Sequence, residues 1–177
     1  MTISQALCEL AERPKYIQPL REEVDSVLAN EGWTKASIGQ LYKLDSFFRE
    51  HRDITVVMSR YVMKDFTFSD GTCVPAGTHL CVNARGNHRD DAHYPSANTF
   101  DGFRFAHEDG VDQPLTVTPT LDYNAFGNGR PTCPGRFFAV AELKVMLAHI
   151  LSTYDGKLKF GNEGVAEQKQ IPNPKEL

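Results

Sequence analysis

Long apolar stretches are missing from this sequence. No run approaches the roughly 18 residues that a membrane span needs, and Met1-Thr2-Ile3-Ser4 has neither the charged start nor the apolar middle of a signal peptide. The expectation is a soluble, unprocessed chain without a membrane anchor. Excess basic charge is missing too: 19 Lys and Arg stand against 23 Asp and Glu, a formal net charge of −4, which argues against a dedicated nucleic-acid binder. Cysteine is sparse. Cys8, Cys73, Cys81 and Cys133 lie far apart with no CxxC pair, which suggests neither a zinc cluster nor a disulfide framework, so each is read singly as a small buried hydrophobe unless its context says otherwise. No internal repeat and no low-complexity tract is present. What remains is a chain of 177 residues, 41% hydrophobic, with enough apolar side chain for one ordinary core.

The hydrophobic period changes along the chain, and the order is informative. Thr2 and Gln5 can form a capping box that opens a short helix through about Ala11, closed by Pro14. A second helix is expected from about Lys15 to Ala29, stopping at Gly32. A third, from about Ser37 to Arg52, brings Ile38, Leu41, Leu44, Phe47 and Phe48 to one face. From Asp53 the residues become β-branched, and Ile54–Met58, Phe66–Phe68, Cys73–Pro75 and His79–Val82, with turns at Asp70-Gly71 and Ala76-Gly77, read as a small sheet. About Asn83 to Gly129 is loop-rich yet holds Tyr94, Phe100, Phe103, Phe105, Tyr123 and Phe126, so something must organise it. From Pro134 to about Tyr154 a long helix is expected, with Ala139, Leu143, Met146, Leu147 and Ile150 on its buried face, and Phe137, Phe138 and Tyr154 as core aromatics. The tail after Gly161 reads as coil or a weak hairpin.

The segment Phe126-Gly127-Asn128-Gly129-Arg130-Pro131-Thr132-Cys133-Pro134-Gly135-Arg136 places one cysteine at the mouth of that helix. Backbone N–H groups and the positive helix end stabilise a thiolate there, and such a thiolate is a good iron ligand. Glycines let the backbone lie close to a flat macrocycle, Pro134 begins a helix without wasting a donor, and Phe126 can cover the sulfur from water. Two rival readings are weaker. His88, Arg89, Asp90, Asp91 and His93 fit no familiar closed metal site. Gly127-Asn128-Gly129 has no following Lys-Ser/Thr for a phosphate loop.

The string resembles the haem-binding loop of the cytochrome P450 family: Phe, two residues, Gly, three residues, Cys, one residue, Gly. Phe126, Gly129, Cys133 and Gly135 occupy the four fixed positions, and Arg136-Phe137-Phe138-Ala139 resembles the following helix start in fungal members. Val74-Pro75-Ala76-Gly77-Thr78 resembles the family's common inter-strand turn, and Phe100-Asp101-Gly102-Phe103-Arg104-Phe105 its aromatic-arginine segment. The resemblance covers about Thr2 to Phe160 and corresponds to the C-terminal third of that catalytic domain. It implies a mainly α fold with a small β-sheet: three N-terminal helices (1–52), small sheet (53–82), meander (83–125), haem-thiolate loop (126–136), long final helix (137–154) and tail (155–177), all in one domain. It further implies haem b (iron protoporphyrin IX) with Cys133 as the iron ligand, Phe126 shielding the sulfur, Gly129 and Gly135 allowing close approach, and Arg60 and Arg130 holding propionates. Arg104 would be structural, locking the meander onto the preceding helix. The implied activity is a monooxygenase acting on paired donors, in which the thiolate pushes electron density toward O–O cleavage. Electrons would come from NADPH-cytochrome P450 reductase or a similar donor, and the substrate would be small and apolar. Family members are often associated with the endoplasmic-reticulum membrane.

Three departures from the family pattern carry expectations. Glu50-His51-Arg52 shortens the usual Glu, two residues, Arg spacing, so the triad with Arg104 would not form without local distortion. A buried Glu50 or Arg104 left without its partner would cost on the order of 3–5 kcal/mol. Pro131 stands where family members often carry His or Arg, which would weaken haem affinity. The resemblance begins after the long helix that crosses the distal face of haem, so the chain is expected to be incomplete as encoded; no catalytic residue is assigned, and Val56, Val57 and Met58 are the remaining candidates for pocket walls. The competing expectation is a catalytically inactive fragment, or a haem-binding or interaction remnant.

Overall fold

In the computed structural model the described residues are 3–51, 56–106 and 115–154, with the short strands 159–160 and 166–167. In chain order the helices are α1 (Ile3–Glu12), α2 (Ile17–Glu31), α3 (Lys35–Gly39), α4 (Tyr42–Glu50), α5 (Ala84–His88) and α6 (Arg136–Thr153). The strands are β1 (Val56–Tyr61), β2 (Phe66–Thr67), β3 (Cys73–Val74), β4 (His79–Asn83), β5 (Lys159–Phe160) and β6 (Ala166–Glu167). They form three antiparallel pairs, β1 with β4, β2 with β3 and β5 with β6. Two compact units result. One is drawn from Met1–His51, Phe100–Val117 and Gly135–Leu177, the other from Arg52–Thr99 and Thr118–Pro134. Among the described residues no helix is long and apolar enough to cross a membrane.

The first unit is helical because its apolar period is helical. Leu20 and Val24 of α2, Leu44, Phe47 and Phe48 of α4, and Leu147, Ala148 and Leu151 of α6 are buried together in one core. Gly32 ends α2 in a left-handed conformation at φ 63°, its N–H bonded to the Leu28 carbonyl. The single helix expected over Ser37–Arg52 is instead two, α3 and α4, separated at Gln40-Leu41. Ile38 and Leu41 remain buried despite the break. Thr34 and Ser37 cap α3 reciprocally, while Thr2, expected in the first capping box, lies outside the described residues.

Three expectations about burial are corrected. On α6 Leu147 is buried and Leu143 packs on the core as expected, but the other buried residues are Val140, Lys144, Ala148 and Leu151, and Met146 is exposed. Phe137 and Phe138 are not core aromatics, being 58% and 72% exposed. Apolar side chains surround this helix on all sides, so their spacing does not select a face; the buried ion pair of Lys144 Nζ with Asp45 Oδ1 at 2.8 Å does. Asp45 is held in turn by the Thr116 N–H and hydroxyl at 2.7 and 3.0 Å. Third, Glu50 and Arg104 are paired: Arg104 Nε donates to Glu50 Oε2 at 3.0 Å, and the Asp101 N–H donates to Glu50 Oε1 at 3.1 Å. The shortened Glu50–Arg52 spacing does not prevent this, because Arg104 reaches Glu50 directly; Arg52 lies outside the described residues.

The irregular segment after Thr99 is thus fastened to helices by polar contacts rather than by its own secondary structure. Phe105 N–H donates to Ser46 Oγ and Gly102 N–H to the Tyr16 hydroxyl. A β-carbon added at Gly102 would stand 2.9 Å from Phe47 Cδ2 and 3.0 Å from Tyr16 Cε1, inside the aromatic cluster. Gly102→Ala is therefore expected to destabilise the chain by about 1–3 kcal/mol through overpacking, read as a lowered urea midpoint at unchanged slope.

Glu23 of α2 performs a task that its sequence context does not announce. Its carboxylate accepts the Lys43 and Leu44 N–H groups at the start of α4, at 2.6 and 3.0 Å. Burial raises its titration above the ordinary 4.5, opposed by those two hydrogen bonds and by the charges of Lys43 and Lys144. The folded state therefore binds the proton more tightly than the unfolded chain, so this group's contribution to stability falls as pH rises from 4.5 through the raised value. Glu23→Gln is expected to flatten that part of the stability profile, measured as the urea midpoint against pH. Asp70, lowered from 3.8 by its hydrogen bonds with Thr72, acts in a separate window: its contribution is present above 3.8 and fades as pH falls through the lowered value.

In the second unit Gly71 turns β2 into β3 at φ 88°, with Asp70 Oδ1 accepting the Thr72 N–H. Among its described residues the stretch read as loop-rich contains a short helix, α5, whose N-terminus Asn83 caps by accepting the Gly86 N–H. Of the tail after Gly161 the described residues are those of β6, which pairs antiparallel with β5.

Candidate functional site

The loop before α6 is shaped by its own residues. Gly127 and Gly129 have φ of 78° and 72°, backbone that a residue with a β-carbon rarely adopts, and Asn128 between them folds its Oδ1 onto the Gly129 N–H at 2.7 Å. Gly127 N–H donates to the Asn124 carbonyl, and Thr132 donates to the Gly129 carbonyl through both its N–H and its hydroxyl. The turn closes where Cys133 N–H donates to the Phe126 carbonyl at 2.9 Å. Two of the four pattern residues are thereby tied together, and Gly129 sits between them. Gly135 is the N-cap of α6, its carbonyl accepting the Ala139 N–H.

Cys133 is exposed, and a β-carbon placed on Gly129 would meet no atom within 4 Å. Phe126 is half-buried, and Arg130 is exposed. Arg60, also exposed, lies in β1 opposite Leu80, where its Nη1 donates to the Ser59 carbonyl at 2.6 Å. An exposed cysteine sulfur on this loop, with no atom within 4 Å of where a β-carbon on Gly129 would lie, is a soft donor of the kind that iron in a flat macrocycle accepts.

The sequence reading missed the supports of this loop. Met58, a candidate for the pocket wall, accepts the Asn128 N–H through its Sδ at 3.1 Å. His88 is fully buried, accepts the Asn124 N–H at 3.1 Å and stacks on Tyr123. The polar run around it builds turns: Asp90 Oδ1 accepts the Ala92 N–H, Asp91 Oδ1 the Ala97 N–H, and His93 lies 3.3 Å from Asp122. Among the described residues no group of three or more His, Cys, Asp or Glu side chains could hold a metal ion. Val56 and Val57 were also expected as pocket walls; their side chains are outside the described set.

A family model for cytochrome P450 matches residues 1–175. The chain is 44% identical over 172 residues to cytochrome P450 monooxygenase 151 of Postia placenta, covering 93% of this chain and 34% of that protein. It is 41% identical over 167 residues to cytochrome P450 monooxygenase atmQ of Aspergillus flavus, covering 89% and 32%. With cytochrome P450 monooxygenase ptmU of Penicillium ochrochloron it shares 38% identity over 169 residues, covering 91% and 33%. The chain spans about a third of the length of the curated relatives it matches.

Proposed function

The chain belongs to the cytochrome P450 family, whose prosthetic group is haem, and from that premise we propose that Cys133 is the thiolate ligand to the iron of haem b. The observation that carries this reading is the exposed Cys133 at the closure of a turn whose Gly127 and Gly129 are both left-handed. When bound, the group supplies oxygen activation, which the thiolate assists by donating electron density to the iron. The activity is that of a monooxygenase acting on a small apolar substrate, with electrons from NADPH-cytochrome P450 reductase or a similar donor. Of that activity, this chain supplies the iron ligand and its surroundings.

Each residue has a separate task. Phe126 shields the sulfur, and its carbonyl holds the Cys133 N–H in place. Gly129 and Gly135 admit the macrocycle. Arg60 and Arg130 hold the propionates, for which Arg60 exchanges its Ser59 carbonyl for a carboxylate. Haem titration of the chain, followed by reduction and carbon monoxide, tests the assignment: a thiolate-type band supports it and an imidazole-type band rejects it. Arg60→Ala is expected to weaken haem retention by about twofold to fivefold, as for an exposed charge contact, without changing the type of band. Unchanged retention would remove Arg60 from the site.

A further inference from the structure

The strand that carries Arg60 contains an irregularity that the proposed haem ligation does not explain. In the pairing of β1 with β4, Val56 stands opposite Asn83 and Ser59 opposite Cys81, so Val57 and Met58 together face Val82 alone. Such a bulge re-aims side chains, and bulges gather beside active sites. Here it accompanies a specific contact. Met58 Sδ accepts the Asn128 N–H at 3.1 Å, and Met58 Cγ and Sδ stand 3.6 and 3.9 Å from where a β-carbon on Gly127 would lie.

We propose that Met58 is a positioning residue that clamps the Gly127–Gly129 turn through its N–H···S bond and so fixes the presentation of Cys133. The inference rests on the reading of Cys133 as iron ligand. The Asn128 N–H lies in the middle of the turn, between two left-handed glycines that offer the backbone more freedom than any other residues. The Phe126–Cys133 hydrogen bond closes the turn at its ends, and Met58 holds its middle from the neighbouring strand. An aliphatic side chain of similar volume, such as Leu, would fill the space without the acceptor.

Three forms of the full chain test this. In Met58→Leu, amide hydrogen exchange at Asn128, Gly129 and Cys133 is expected to quicken by about threefold to tenfold, the span of one ordinary hydrogen bond, while amides of α6 keep their protection. Met58→Gln, which restores an acceptor, is expected to recover the slow exchange. After haem loading, the Leu variant should show a smaller thiolate-type share of the reduced carbon monoxide spectrum than the parent, and the Gln variant should recover it. Unchanged exchange at Asn128, or acceleration spread over the whole chain, overturns the clamp. Local acceleration with an unchanged spectrum overturns the positioning role. A parent chain without any thiolate-type band defeats the Cys133 assignment and the positioning role with it, whereas the exchange data still decide whether the clamp exists.

Discussion

Cys133→Ala is expected to abolish the thiolate-type band of the reduced carbon monoxide complex while leaving the chain as stable as its parent. The two halves of that expectation have separate causes. The side chain is exposed, and the hydrogen bond that Cys133 makes to the Phe126 carbonyl comes from its backbone, which alanine keeps. Gly127 and Gly129 still form the turn. Stability should therefore stay within about 0.5 kcal/mol, the usual range for surface substitutions. What disappears is the sulfur, the only atom in the Phe126–Gly135 pattern that can serve as a soft ligand to iron. Parallel urea titration and spectroscopy of variant and parent check both halves. A thiolate-type band in the variant would move the ligand elsewhere.

Arg104→Ala should do the reverse, damaging the fold without touching the loop. The Glu50 side chain is only 2% exposed and receives the Arg104 guanidinium and the Asp101 N–H. Removing the guanidinium leaves a carboxylate buried without that charge, a change that typically costs about 3–5 kcal/mol. Against a whole-domain stability of about 5–15 kcal/mol, this is enough to unfold much of the population at moderate urea. The double replacement Arg104→Met with Glu50→Gln should recover a good part of the loss, because keeping a buried carboxylate without the guanidinium, rather than the missing contact, dominates. Equal urea midpoints for Arg104→Ala and the parent would show that Glu50 is solvated and the pair dispensable.

The same pair marks the limit of what the sequence discloses. Spacing along α4 places Leu44, Phe47 and Phe48 on one buried face, and they are there. The turn from Phe126 to Cys133 is local, and its signals, Gly127 and Gly129, lie within it. The break between α3 and α4 does have a local signal, Gly39 at the end of α3, but the apolar spacing from Ile38 to Phe48 runs straight through it. On α6 periodicity finds Leu143 and Leu147 but not Lys144, whose burial depends on Asp45, a partner distant in sequence. Met58 looks like any apolar strand residue until the register of β1 against β4 places the bulge. Short α5 begins at an Asn83 cap with Gly86 inside it, a composition that favours a turn over a helix. For α6 and Met58 the missing information is a pairing or a partner from another part of the chain, not a property of the residue itself.

Iron-edge X-ray absorption of the haem-loaded chain carrying Cys8→Ser, Cys73→Ser and Cys81→Ser, which leaves Cys133 as the single cysteine, tests the central claim most directly. A sulfur scatterer at bonding distance from iron is the predicted result. A first shell of nitrogen and oxygen alone would contradict it.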